Sequence, residues 1–259
     1  MEIIAIANQK GGVGKTTTAV NLTASLAAKR KRVLLIDLDP QGNATTGTGL
    51  DKNDLELTIT DVLLDGVSLQ EAIVKSPAGF DVIAANRELA GMDITLMGQT
   101  NSHELLKTAM ADLVTDQVNG KTKPYDYIIM DCAPSLNLLT INALVTTDGV
   151  IIPMQCEYYA LEGLADLSQT IERLTELNPK LYIRGVVRTL FDARNTLAND
   201  VSAELDAHFG DIMYKTHIPR NIRLAEAPAH GMPVLAFEKS SKGAQAYLKL
   251  AAEVIKQSR

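Results

Sequence analysis

Short, continuous apolar runs alternate along this chain with longer stretches in which apolar residues recur every three or four positions. The runs Ile3–Ala7, Arg32–Asp37, Phe80–Ala84, Tyr125–Asp131, Gly149–Met154, Leu181–Thr189 and Met213–His217 predict strands. They are apolar throughout rather than at every second residue, the mark of strands covered on both faces. Helical spacing is clearest over Thr16–Lys29, Ser102–Val118, Leu161–Leu177, Val201–Phe209 and Gly243–Lys256. Strand and helix in turn predict an α/β fold: a mostly parallel, twisted sheet with helices on both faces. No break in composition marks a linker, so residues 1–259 are expected to form a single domain. The stretch from Gly42 to Leu57, rich in Gly, Thr, Asn and Asp, is expected to be the most mobile surface segment.

Composition narrows the class. The 259 residues are 46% hydrophobic and 22% charged, which is ordinary for a globular protein. Trp is absent, so the core is expected to be aliphatic. The net charge of −6 confines any nucleic-acid surface to a local patch. Two cysteines, Cys132 and Cys156, are too few for a disulfide framework. With no leader pattern and no apolar run of about 20 residues, the expectation is a cytoplasmic protein without an N-terminal DNA-binding extension.

Chemistry is concentrated just after the first run. The segment Lys10-Gly11-Gly12-Val13-Gly14-Lys15-Thr16-Thr17 lies between a predicted strand and a predicted helix. Gly14-Lys15-Thr16 is the tail of a phosphate-binding loop, with Gln9 where the first glycine usually stands. Backbone amides from Gly12 to Thr16 are expected to cradle a β-phosphate at the positive end of the helix. Lys15 is expected to reach the β- and γ-phosphates of a nucleotide, and the Thr16 hydroxyl to bind Mg2+. The plainer alternative, a glycine-rich turn without a ligand, does not explain the strand–loop–helix order. Lys10 adds a second cation that nucleotide binding alone does not require.

Two further strands end in carboxylates. Val33–Leu38 carries Asp37 and leads to Asp39-Pro40, where Asp39 reads as a nucleotide-site residue or as a turn carboxylate before proline. Tyr127-Ile128-Ile129-Met130-Asp131 has the Walker B pattern, so Asp131 is expected to hold a water on Mg2+. The four histidines, His103, His208, His217 and His230, lack metal-site spacing.

The lysine-flanked glycine loop resembles the deviant Walker A loop of the ParA/MinD superfamily of P-loop ATPases. Asp39-Pro40-Gln41-Gly42-Asn43 resembles that family's switch I, and Cys132-Ala133-Pro134-Ser135 its switch II, with Ala133 where proline is more common. The segments Pro153–Gly163 and His217–Pro228 resemble the chromosomal ParA (Soj) pattern, so the likeness extends over nearly the whole chain. It implies an ATPase with ATP and Mg2+ as cofactors. Gly11 to Thr17 would hold the nucleotide, and Thr16, Asp39 and Asp131 the metal. Lys10 and Asp39 would be catalytic: Lys10 reaches the partner's nucleotide in an ATP-sandwich homodimer, and Asp39 positions the attacking water. Pro219 and Asn221 would lie near the adenine. Arg194, Arg220 and Arg223 would form a face for non-specific double-stranded DNA. Arg194-Asn195-Thr196-Leu197 departs from the relatives' Arg-Thr-Asn-Leu order.

The implied role is partitioning of a chromosome or plasmid on the nucleoid, with hydrolysis stimulated by a ParB-type centromere-binding protein. Two other readings share the loop. A MinD-type membrane ATPase would need a lipid-binding amphipathic tail, and no stable membrane association is expected here. An iron–sulfur reductase related to nitrogenase iron protein would need a cysteine context that Cys132 and Cys156 do not have.

Overall fold

The computed structural model describes residues 1–96 and 98–258. In chain order the elements are β1 (Glu2–Ile6), α1 (Lys15–Ala28), β2 (Val33–Leu38), α2 (Asn43–Gly47), α3 (Ile59–Leu64), α4 (Leu69–Ala72), β3 (Val74–Lys75), β4 (Asp81–Ile83), α5 (Met92–Thr95), α6 (Leu105–Val118), β5 (Tyr127–Cys132), α7 (Leu138–Thr146), β6 (Gly149–Gln155), α8 (Ala160–Leu174), β7 (Tyr182–Thr189), α9 (Thr196–Phe209), α10 (Ile222–Glu226), α11 (Val234–Phe237) and α12 (Lys242–Gln257). The sheet runs β3-β4-β2-β5-β1-β6-β7. All pairs are parallel except β3 with β4.

The apolar runs form strands because both of their faces are covered. Ile3, Ala5, Leu34 and Ile36 point into a core shared with α3, α4, α6, α7, α8 and α9. Their neighbours Ile4, Ile6, Val33 and Leu35 point the other way, into a core completed by α1 and α12. Period-two geometry divides each strand between the two cores. Burying each such aliphatic side chain contributes about 1.5–3 kcal/mol. β1 lies inside the sheet, between β5 and β6, so the carboxyl end of the sheet opens a crevice beside the loop that follows β1.

Three expectations change. Met213–His217 is extended but forms no strand: it makes isolated bridges beside β7, Val186 to Met213 and Phe191 to Pro219. Tyr214 and Ile218 donate backbone N–H bonds to Val186 (2.9 Å) and Arg188 (2.8 Å), too few contacts for a ladder. The start of the segment expected to be mobile is α2, with Ala44, Thr45, Gly47 and Thr48 buried. Gly42 takes the left-handed conformation there, and a Cβ would come within 2.6 Å of the Ala85 carbonyl oxygen. Helix α9 begins five residues before Val201, because the Asn195 side chain accepts a bond from the Ala198 amide and caps it.

The apolar side of α12 is fully used. Ala244, Tyr247, Leu250, Ala251 and Val254 are buried, and the Tyr247 hydroxyl lies 3.1 Å from that of Thr18 on α1. Among the described residues, no helix is long and apolar enough to cross a membrane.

Gly185 on β7 is the tightest point on this edge: a Cβ there would collide with Cε2 of Tyr214. Gly185→Ala is expected to destabilise the fold by about 1–3 kcal/mol. Urea unfolding checks this, and an unchanged midpoint would mean that Tyr214 swings clear.

His217 lies on the same edge, with Nε2 3.0 Å from Nη1 of Arg188. Burial, followed by the Arg188 charge, holds its pKa below the ordinary histidine value. The unfolded chain therefore takes up a proton that the folded chain refuses, and stability is lost as pH falls below about 6.5. Thermal melts from pH 7.5 to 5 should fall more steeply for the wild type than for His217→Gln.

Candidate functional site

The loop between β1 and α1 turns on two left-handed glycines, Gly12 (φ 75°) and Gly14 (φ 85°). Gly14 caps α1 without a side-chain acceptor, so the first amides of the helix, from Lys15 onward, have no partner within the helix. The loop's carbonyls are held from outside. The Thr189 hydroxyl at the end of β7 donates to the Val13 oxygen (2.7 Å), and Gln155 at the end of β6 donates to the Gly12 oxygen (3.3 Å). Asn8 donates to the Pro153 oxygen (2.8 Å) and accepts from the Lys10 amide (3.0 Å). With its carbonyls fixed outward, the loop can present its amides to an anion.

The two lysines occupy different surroundings. Lys15 is buried, and its Nζ donates to the Lys10 carbonyl (2.8 Å). Burial lowers its pKa, against the opposing pull of Asp131. Lys10 is half exposed, and its Nζ lies 2.5 Å from Oε2 of Glu157, itself half exposed. Beside Glu157, Tyr158 and Tyr159 are exposed and pack edge to face with ring centroids 5.0 Å apart. Leu136, after β5, is exposed as well.

Asp37 and Asp131 are register partners on β2 and β5, both completely buried. Asp37 is satisfied. It accepts the Thr45 amide and hydroxyl (both 2.8 Å) and the Asp39 amide (3.1 Å). Burial still raises its pKa to about 6. Both oxygens of Asp131 are buried without a hydrogen-bond partner. Burial, then the neighbouring Asp37, pushes its pKa well above the carboxylate range, while Thr16 and Lys15 oppose the rise. Asp39 is buried at the mouth of the site, and its Oδ1 accepts the Gln41 amide (2.9 Å).

An orphaned buried carboxylate beside a phosphate loop fits a divalent cation. Among the described residues, no group of three or more His, Cys, Asp or Glu side chains forms a complete metal cage. Mg2+ does not require one, since it keeps several waters and takes one or two carboxylates together with nucleotide oxygens.

The C-terminal residues form a second group. Pro219 is bridged to Phe191, and Asn221 caps α10 by accepting the Arg223 amide (3.1 Å). Arg194, Arg220 and Arg223 are all exposed. Arg188, another arginine of this half, is buried and paired with Asp206, so it is not part of that surface. Thr189 connects the two groups: its hydroxyl holds the phosphate loop, and Phe191, two residues on, accepts the Arg220 amide (3.2 Å). Thr189, Asp37, Thr45 and Glu157 escape motif reading. The signal available for Asp37 is a carboxylate inside an apolar run. Thr189 is visible only as a polar residue ending a strand.

Away from the crevice, a cavity of about 930 Å3 opens among residues that include Glu2, Lys31, Asp126 and Arg184. Its charges pair with one another, Arg184 with Glu2 and Lys31 with Asp126, so it offers no comparable unbalanced group.

The sheet, the loop and the strand-end carboxylates define a P-loop nucleoside triphosphatase fold with a second lysine in its loop. A family model described as an AAA domain matches residues 1–183. The chain is 50% identical to the chromosome partitioning protein ParA of Caulobacter vibrioides (strain NA1000 / CB15N), over 100% of this chain and 96% of that one. It is also 50% identical to the sporulation initiation inhibitor protein Soj of Bacillus subtilis, over 98% of each. A cobyrinic acid a,c-diamide synthase from Mycobacterium smegmatis, solved with a bound ATP analog and magnesium, superposes with a TM-score of 0.81. That structure is 35% identical and covers 99% of this chain and 95% of its own. The chain belongs to the ParA/Soj family of partitioning ATPases.

Thr189→Val keeps the side chain's shape but leaves the Val13 carbonyl without this donor. The expected loss is about 1 kcal/mol of stability and a several-fold weaker grip on nucleotide. A melt and an ATP titration check it, and an unchanged titration would count against the loop being held from β7.

Proposed function

We propose that the chain is an ATP-gated partitioning switch whose nucleotide-bound homodimer holds duplex DNA. The observation that carries this reading is the division of labour between the two lysines. Lys15 is buried in the phosphate loop, while Lys10 stands half exposed on the surface, beside exposed Tyr158 and Tyr159. A lysine placed there is suited to a nucleotide in a second copy of the chain. Its bond to Glu157 is between half-exposed groups, so exchanging that carboxylate for a partner's phosphate costs little.

Bound ATP with Mg2+ supplies the transferable phosphoryl group and the divalent charge that neutralises it. Phosphoryl transfer then needs positioning and charge balance from the protein. The amides of Gly12 to Thr16 and the Lys15 ammonium would hold the phosphates. The Thr16 hydroxyl and the carboxylates of Asp131 and Asp39 would hold the metal, Asp131 through a water. Asp39 orients the attacking water. Lys10 from the second protomer adds the charge that distinguishes the ATP state from the ADP state, which ties dimerisation to the γ-phosphate. Pro219 and Asn221 would lie near the base.

Arg194, Arg220 and Arg223 offer phosphate contacts without sequence preference, and dimerisation doubles their number. A ParB-type partner triggers hydrolysis and release, and the protein works in the cytoplasm on the nucleoid. The packed apolar side of α12 leaves no lipid-binding stripe there, which favours DNA over a membrane as the track.

Binding to random-sequence duplex DNA, compared in ATP and ADP at one salt concentration, tests the reading, with Asp39→Ala used to limit hydrolysis. Binding only with ATP is expected. Lys10→Ala should still bind ATP, yet remain monomeric by mass and fail to hold DNA. Normal dimerisation of Lys10→Ala, or no DNA binding by protein loaded with ATP, would overturn it.

A further inference from the structure

The proposed DNA surface carries its own counter-charge. Asp192 lies on the turn from β7 to α9, two residues before Arg194. Its Oδ1 accepts the Arg194 backbone amide (3.0 Å) and the guanidinium Nε (2.9 Å), and its Oδ2 accepts Nη2 (2.8 Å). The guanidinium fork is therefore closed on a carboxylate of its own chain, although the Arg194 side chain is 90% exposed. That two-pronged geometry is the one an arginine uses for a phosphate.

Arg220 approaches the same carboxylate. Its amide donates to Phe191 (3.2 Å), the residue before Asp192, and its charge helps hold the Asp192 carboxyl low, after the larger effect of the Arg194 hydrogen bonds. Arg223 is engaged separately, with Nη1 2.7 Å from Oε2 of Glu226. Asp192 thus pairs with one of the three arginines assigned to DNA and feels the charge of a second.

We propose that Asp192 is an intramolecular competitor of the DNA phosphate, occupying the Arg194 fork until a duplex backbone displaces it, and so limits the affinity and salt dependence of DNA binding. The proposal rests on the DNA reading above. A phosphate that takes over the Nε–Nη2 edge of Arg194 must break both guanidinium bonds to Asp192, and one that binds the remaining donors must sit near the Asp192 charge. In a dimer this happens once per protomer. The competition keeps DNA contacts readily reversible, as a switch that must let go requires.

Asparagine separates this role from a purely structural one. In Asp192→Asn the side-chain amide oxygen still accepts the Arg194 backbone amide, so the turn that leads into α9 is kept while the charge is lost. Asp192→Ser offers a hydroxyl acceptor for the same turn and serves as the second variant. In protein carrying Asp39→Ala with ATP, binding to random-sequence duplex DNA is measured across a salt series, with and without Asp192→Asn.

The expected result is binding about two- to fivefold tighter at moderate salt, the range an exposed ion pair allows. The plot of log affinity against log salt should steepen by up to about one per protomer. The gain should shrink when Arg194→Ala is also present, because Asp192 acts mainly through that side chain. If Asp192→Asn melts early, Asp192→Ser must give the same gain. Should the parent bind DNA while neither charge-free variant binds more tightly, the counter-charge role is wrong and the DNA reading stands. Should neither the parent nor the variants bind, the DNA reading fails and the proposal with it.

Discussion

Two carboxylates buried side by side on neighbouring parallel strands constrain the rest of this structure. A buried ionised carboxylate is tolerated only when hydrogen bonds or a cation compensate for lost water. Asp37 obtains that compensation from Thr45 and from the Asp39 amide, and this binds α2 to the end of β2. Neither Asp131 oxygen has a partner of good hydrogen-bond geometry, Thr16 offsets its burial only in part, and Lys15, whose ammonium already donates to the Lys10 carbonyl, cannot neutralise both acids. The crevice therefore lacks positive charge at Asp131 and presents free amides a short way off at the loop. A metal–triphosphate complex supplies the missing cation and the missing anion together. Hydrolysis cleaves the γ-phosphate from ADP, and departure of that phosphate removes part of the anion, which gives a physical reason for the nucleotide state to be felt beyond the site.

The route by which it is felt begins at Thr189. A single hydroxyl fixes the Val13 carbonyl from β7, and the chain continues through Leu190, held at φ 50°, to Phe191 and its bridge to Pro219. A non-glycine residue in the left-handed region is retained only where its surroundings fix the backbone. The phosphate loop, the turn bearing Arg194 and the turn bearing Arg220 are thus connected by hydrogen bonds along one edge of the sheet.

Much of this was legible in the sequence, for reasons particular to each part. The central strands read clearly because both of their faces are buried, so Tyr127–Asp131 and Val33–Leu38 show no charged interruption until Asp131 and Asp37. The phosphate loop read clearly because left-handed backbone at Gly12 and Gly14 leaves glycine as the natural residue. Met213–His217 misled because its apolar residues serve the β7 edge through Tyr214 and Ile218 without enough backbone pairing for a strand. The stretch after Gly42 misled because its polar residues look solvated, whereas Thr45 points inward to a carboxylate that only the fold brings near. Thr189 and Asp192 could not be read as partners of Val13 and Arg194 from composition, because a hydrogen bond from a strand end to a distant loop leaves no periodic trace.

On the DNA reading proposed above, the same structure gives an acidic protein a way both to hold a duplex and to release it. A strongly basic face would bind duplex DNA in every nucleotide state and separate hydrolysis from release. Here two of the three candidate arginines already have carboxylate partners, Asp192 and Glu226, so one protomer presents little unbalanced positive charge. On that reading, holding DNA would depend on bringing two such surfaces together, and that in turn on a γ-phosphate drawing Lys10 away from Glu157. Each step exchanges an exposed carboxylate for a phosphate at small net cost. A series of near-balanced exchanges can be reversed by the loss of one phosphate, whereas a single strong attraction could not.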